Sequence, residues 1–310
     1  MARRLVSGAL VVLFTSAATF FFVNLAPGGP SSINNMSATA EQREALIRAM
    51  GLDRPVAERY AAWLGAALHG DLGSSLASDQ PVAGLIADRL PNTLTLAGGA
   101  LLLSCVLGIP MGILQALRRN SWLDHVLSLL SAIGLAIPVF WLGIVLILLF
   151  AVSLHVLPSS GLASASGGSI ADRLLHLVLP TVALATTILP TVVRFMRSSL
   201  LEVLGTEYMR TADGKGLPRG TVLRRHGLPN ALMPVLSAVG ALIPRLLGGT
   251  VVTEAVFGWP GMGRLALDAA NGRDYPLVTG IAVVVAAIAV ATTVLVDLAY
   301  TRLDPRVRLA

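Results

Sequence analysis

Six stretches of roughly 20 or more apolar residues govern what this chain can fold into, because each is long enough to cross a ~30 Å hydrocarbon layer as a helix. They occupy 5–25, 93–117, 126–154, 174–193, 231–253 and 277–300. No single soluble core absorbs that much apolar surface. Apolar residues make up 55% of the 310 and charged residues 13%, against roughly 45–50% and 25% in an ordinary soluble domain. Lipid is therefore the solvent for much of the chain, and the fold class is all-α: a polytopic membrane protein with six transmembrane helices. Arg3 and Arg4 precede the first stretch as in a secretory signal, but a signal's apolar region runs about 7–15 residues, so 1–25 reads as a retained anchor span.

The net charge of +6 does not indicate nucleic-acid binding, because the charges gather at the ends of the apolar stretches. That is the pattern that orients a membrane protein. Fourteen Arg and Lys residues fall in one set of compartments: Arg3–Arg4, Arg118–Arg119, the segment from Arg194 to Arg225, and Arg302, Arg306 and Arg308. Eight fall in the other, and Arg245 lies within a stretch. Both termini are thus expected in the cytoplasm. The spans carry Pro110, Pro138, Pro180, Pro190, Pro234 and Pro244, with Gly-Gly at 98–99 and 248–249. Bundle packing explains such residues, and so does a bundle whose helices bend during a transport cycle. Between the first two spans, Thr39 and Gln42 form a capping-box pair ahead of a short amphipathic helix over 41–50 that ends at Gly51, and Pro55 opens a second helix to about His69.

The polar segment from Arg197 to Pro234 is too hydrophilic to span. Leu200, Leu204 and Tyr208 share a helical stripe. Gly214, Gly216, Pro218 and Gly220 impose a turn, and a second basic helix leads into the fifth span. Its basic charge alone would also suit a loop attracted to anionic membrane lipid. Arg245 is the one basic residue deep in a span, where an ionisable group is costly and marks a candidate pathway residue facing a cargo carboxylate. Pairing with Glu254 or with a partner subunit, or snorkelling outward, is the alternative. Asp297 and Glu254 sit near span ends, and His69, His125, His155, His176 and His226 are scattered. The single Cys105 excludes an internal disulfide. No phosphate-binding loop and no HExxH pattern occurs, so neither ATP hydrolysis nor a metal or other cofactor is expected in this chain.

Glu207-Tyr208-Met209-Arg210-Thr211-Ala212, followed by Lys215-Gly216-Leu217 and by 226–234 (HGLPNALMP), resembles the "EAA loop" of binding-protein-dependent ABC importers. Further motifs resemble the dipeptide, oligopeptide and nickel permeases of that class, in order from end to end: LAPGGP at 25–30, LDRP at 52–55, GDLG at 70–73, EAVFGWPGMG at 254–263, RDYP at 273–276 and LVDLAYTRLDPR at 295–306. The resemblance implies the first, "B-type" permease subunit of a type I importer in the bacterial inner membrane. It implies pairing with a second homologous permease, two ATP-binding-cassette ATPase subunits that hold ATP and magnesium, and an extracytoplasmic substrate-binding protein. It also implies that Glu207, Tyr208, Arg210, Thr211, Ala212, Lys215 and Gly216 belong to a coupling helix seated in the ATPase. The organisation that follows is an anchor span at 1–25, an extracytoplasmic loop at 26–92, a five-span core at 93–302 with the coupling loop at 197–230, and a cytoplasmic tail at 303–310. Gly29 stands where the family has an acid, and Asp213-Gly214 where it has a basic-small pair. A glycine inside a helix costs about 1 kcal/mol, which bears on the length of the coupling helix and not on its existence. A stand-alone secondary transporter or channel would need carboxylates or histidines within its spans, and these spans are nearly free of them. Peptide and nickel-chelate cargo remain alternatives.

Overall fold

The computed structural model describes residues 2–25, 39, 41, 44, 47–48, 51–164 and 168–303. Among these the regular elements are helices, with one isolated bridge between Ser74 and Pro81. In chain order they are α1 (Ala2–Leu25), α2 (Val56–Ala67), α3 (Val82–Leu117), α4 (Trp122–Ala136), α5 (Val139–Leu146, continued by a π-turn over Ile147–Ser153), α6 (Ile170–Leu204), α7 (Glu207–Gly214), α8 (Arg219–Val222, continued by a π-turn over Leu223–Gly227), α9 (Leu228–Val256), α10 (Met262–Asn271) and α11 (Tyr275–Leu303).

Among the described residues five helices are long and apolar enough to cross a membrane, or six if α4 and α5 are taken together as one span. The expected third span at 126–154 is therefore not a straight helix: it is bent by 98° between Ala136 and Val139. Pro138 has no N–H for the helical ladder, and the residue before a proline is pushed out of the helical region. Ile137 accordingly sits at φ −75°, ψ 125°. Conversely, α3 and α6 run to 36 and 35 residues, well beyond the apolar stretches that announced them. Hydropathy marks only the part of a helix that lipid would cover.

The chain divides into two compact units. The first draws on Met1–Thr93 and Pro260–Leu295, the second on Leu94–Trp259. In the first, α2 is pinned to α1 by the Phe20, Tyr60 and Trp63 rings, whose centroids lie 5.4–6.2 Å apart, a spacing that favours tilted aromatic pairs. The Ser16 and Tyr60 hydroxyls share a 2.9 Å hydrogen bond, and Arg59 donates to Asn24 Oδ1 at 2.6 Å. Burial lowers the Arg59 pKa from its ordinary value. Pro55 precedes α2 as its N-cap, as expected. Glu41, Glu44, Ile47 and Arg48 are helical and Gly51 closes that turn at φ +63°, whereas Gln42 lies outside the described residues. Asp274 caps α11 by accepting from the Leu277 amide at 3.3 Å, and it also accepts from Ser75 Oγ at 2.5 Å and the Leu76 amide at 3.1 Å. The turn just after the family-like segment at 70–73 and the segment at 273–276 thus meet around one buried carboxylate.

In the second unit α3, α6 and α9 enclose a core that includes Leu96, Leu184, Ile188, Val192, Met196, Leu200, Val235 and Trp259. A β-carbon on Gly112 would lie 2.6 Å from Met196 Cβ and 2.7 Å from the Val193 carbonyl, so only glycine permits α3 and α6 to approach this closely. Pro180 and Pro190 lie inside α6, Pro234 and Pro244 inside α9.

Candidate functional site

The segment after α6 forms a small helical knob. Gly205 caps α6, and Thr206 folds back to give its hydroxyl to the Val203 carbonyl at 2.6 Å. The helix restarts at Glu207, so its phase is lost. Leu200 and Leu204 point into packed clusters, while Tyr208 is exposed, which corrects the expected Leu200–Leu204–Tyr208 stripe. The apolar face of α7 consists instead of Met209 and Ala212, buried with Val222 of α8 and against Val203 and Leu204. A β-carbon on Gly227, at the foot of α9, would stand 3.5 Å from Met209 Cε. The knob is therefore fixed to α6 and α8 by small apolar contacts, and the π-turn after α8 runs directly into α9.

The opposite face of α7 is polar and uncovered. Glu207, Tyr208, Arg210, Thr211 and Lys215 are exposed, and Arg210 pairs with Glu207 at 2.6 Å one turn away. Thr211 gives its hydroxyl to the Glu207 carbonyl at 3.0 Å. Both members of the ion pair are solvated, so it contributes little to stability. Ala212 faces inward with Met209, unlike its neighbours. Lys215 is the C-cap, and Gly216 leaves the helix at φ +72°, donating its amide to the Asp213 carbonyl at 3.1 Å. That left-handed position suits glycine. Asp213 and Gly214 stay within α7, giving it two full turns.

The bases of the surrounding helices are joined by a cluster that the residue pattern had not singled out. Arg197 of α6 donates from Nε and Nη2 to Asp124 of α4 at 2.9 and 2.8 Å. Asp124 also accepts from the Asn120 amide at 3.0 Å, and its own amide is capped by Ser121 Oγ at 3.3 Å. Buried Gln115 of α3 donates to Ser128 Oγ at 3.2 Å. The Ser121-x-x-Asp124 spacing is a helix-start signal that marks α4, but the partner, 73 residues away, is set by packing. Arg245 of α9 is exposed into a cavity of about 240 Å3 bordered by α4 to α6. Its guanidinium makes no hydrogen bond or ion pair among the described residues. No group of three or more His, Cys, Asp or Glu residues is placed to hold a metal among the described residues.

Residues 108–309 match the model of the "Binding-protein-dependent transport system inner membrane component" family, and residues 1–97 match its N-terminal companion. A putative peptide permease protein of Brucella suis is 40% identical, covering 99% of this chain and 98% of that protein. The oligopeptide transport system permease protein AppB of Bacillus subtilis is 38% identical over 98% of both, and the dipeptide transport system permease protein DppB of Escherichia coli is 37% identical over 94% and 93%. An inward-facing structure of the methionine ABC transporter MetNI superposes with a TM-score of 0.60 at 20% identity, covering 71% of this chain and 96% of that one. That likeness establishes a shared fold. Family match, end-to-end relatives and helical fold agree: the chain belongs to the binding-protein-dependent transport-system inner-membrane component family, the permease subunits of ABC importers.

Proposed function

We propose that this permease forms half of a translocation pathway for peptides and that α7 is the element through which ATPase subunits drive it. The observation that carries the reading is the build of α7: a two-turn helix anchored by Met209 and Ala212, with Glu207, Tyr208, Arg210, Thr211 and Lys215 left facing outward. A short rigid helix fixed to α6, and joined to α9 through α8, moves as a body and passes displacement into both spans. The names of the relatives support peptide cargo. In this reading both termini and α7 face the bacterial cytoplasm, consistent with the arginine bias. A second homologous permease completes the pathway within membrane lipid, two ATPase subunits bind ATP and magnesium below, and an extracytoplasmic binding protein delivers cargo above. Arg245, unpaired beside a cavity, lines the pathway.

Gly216→Val tests the coupling role. A β-carbon there meets nothing within 4 Å, so its cost is backbone strain alone, about 1–2 kcal/mol for a residue forced left-handed. The expected outcome is protein inserted at normal levels with uptake abolished, and Glu207→Lys should do the same. Normal peptide uptake in both variants would overturn the assignment.

A further inference from the structure

Two cavities of the second unit share a wall along one face of α6. One, of about 240 Å3, is lined by Arg245, Thr187, Thr191 and Leu135 among others. The other, of about 300 Å3, is lined again by Thr191 and Leu135, together with Arg194 and Ser131. Thr187, Thr191 and Arg194 are spaced four and three residues apart, so they stand on one face of the helix. The result is a polar track from Arg245 of α9 down one face of α6 to the exposed Arg194 at the end of the apolar run.

The charges along it are one-signed. The guanidinium groups of Arg194 and Arg245 make no hydrogen bond or ion pair among the described residues. Arg197, which also borders the inner cavity, is satisfied by Asp124. Neither lining contains an aspartate or glutamate among the described residues. Ser131 Oγ, beside Arg194 in the lining, is buried with no hydrogen-bond partner, an arrangement buried polar groups rarely keep unless something visits. A guanidinium at membrane depth, as that of Arg245 is, is costly unless water or an anion meets it, and its planar fork matches a carboxylate. Each cavity lies at or below the lower end of small-molecule pockets, roughly 300 Å3, room for a carboxyl group and its neighbouring atoms rather than a whole peptide. Gly249 lines the first cavity, and a β-carbon there would meet nothing within 4 Å.

We propose that this track is a two-station carboxylate relay: cargo with a free carboxylate is met at Arg245 and passed along Thr187 and Thr191 to Arg194. The proposal rests on the permease reading and deepens it by naming an anionic or zwitterionic cargo and excluding a bare metal cation. Two weak stations suit conduction, which needs binding strong enough to admit cargo and weak enough to release it.

Cysteine labelling tests the track without knowledge of the cargo. In the assembled complex in lipid, Thr191→Cys in a Cys105→Ala background is reacted with an anionic ethylsulfonate thiosulfonate and a cationic trimethylammonium one. Neighbouring arginines raise the thiolate fraction for both reagents equally, so the ratio of rates reports the field. We expect the anion to be favoured by about tenfold over its ratio with a free thiol. Arg194→Gln and Arg245→Gln should each shrink that preference and together abolish it, with Arg→Lys retaining it. Reaction with neither reagent, or a ratio indifferent to both glutamine variants, would overturn the proposal. In uptake assays Arg194→Gln should slow a tripeptide with a free C-terminus about tenfold and leave its C-terminal amide unaffected; equal slowing of both would also overturn it. If the labelling preference holds but the wild type takes up neither peptide, the relay stands and the peptide reading fails.

Discussion

Arg197 and Asp124 show how unequal two halves of one ion pair can be. The Asp124 side chain is 4% exposed and that of Arg197 31%. Arg197→Ala leaves a buried carboxylate with only the Asn120 amide for company and should destabilise the chain by about 3 kcal/mol, the scale for orphaning a buried charge. Asp124→Ala leaves a guanidinium that reaches water and should cost about 1–2 kcal/mol. Thermal unfolding of both variants in the same detergent checks the ordering; equal losses would contradict it. At this scale the sequence was readable for residues acting through the backbone and unreadable for residues acting through a distant partner. Gly216 announced a turn because only glycine tolerates φ +72° cheaply. Asp124 announced at most a helix start, and its bond to Arg197 exists because α4 packs on α6.

Among elements, α7 and the α4–α5 bend went opposite ways. Asp213-Gly214 lowers helix propensity, yet α7 runs through both residues. Burial of Met209 and Ala212 against Val222, Val203 and Leu204 outweighs a deficit of about 1 kcal/mol. Gly214→Ala should then add about that much local stability, because its β-carbon would meet nothing within 4 Å. Hydrogen exchange at residues 209–214 should slow several-fold while uptake is retained; unchanged exchange would mean that propensity is irrelevant here. The apolar run at 126–154 reads as one span, and Pro138 divides it at 98°. Pro138 was visible as a helix breaker, but prolines also sit inside α6 and α9 without ending them. Whether a proline bends or breaks its helix depends on what neighbouring helices offer the freed backbone groups.

For the whole molecule, the outward face of α7 makes a prediction about assembly. Complexes isolated from native membranes with the wild-type chain should contain ATPase subunits and a second permease. Tyr208→Arg with Arg210→Glu, two exposed positions whose replacement disturbs no core, should shed the ATPases and keep the second permease. Retention of both would argue that α7 is not the docking element. Much of the molecule was legible beforehand. Length and apolarity of the runs fix a helical membrane fold, because a backbone in lipid must satisfy its own hydrogen bonds. The ordered motifs from residue 25 to residue 306 mark the family, and the arginines mark an orientation. Tertiary structure alone decided the rest: the α4–α5 bend, the inward turn of Ala212, the Asp124–Arg197 pair, and the meeting of Thr187, Thr191, Arg194 and Arg245 around two cavities. Those depend on which helix faces which, and apolar helices in apolar solvent are sorted by close packing of small residues and by a few polar contacts. That information resides in shapes assembled from distant parts of the chain, whereas hydropathy and turn chemistry are local and can be read residue by residue.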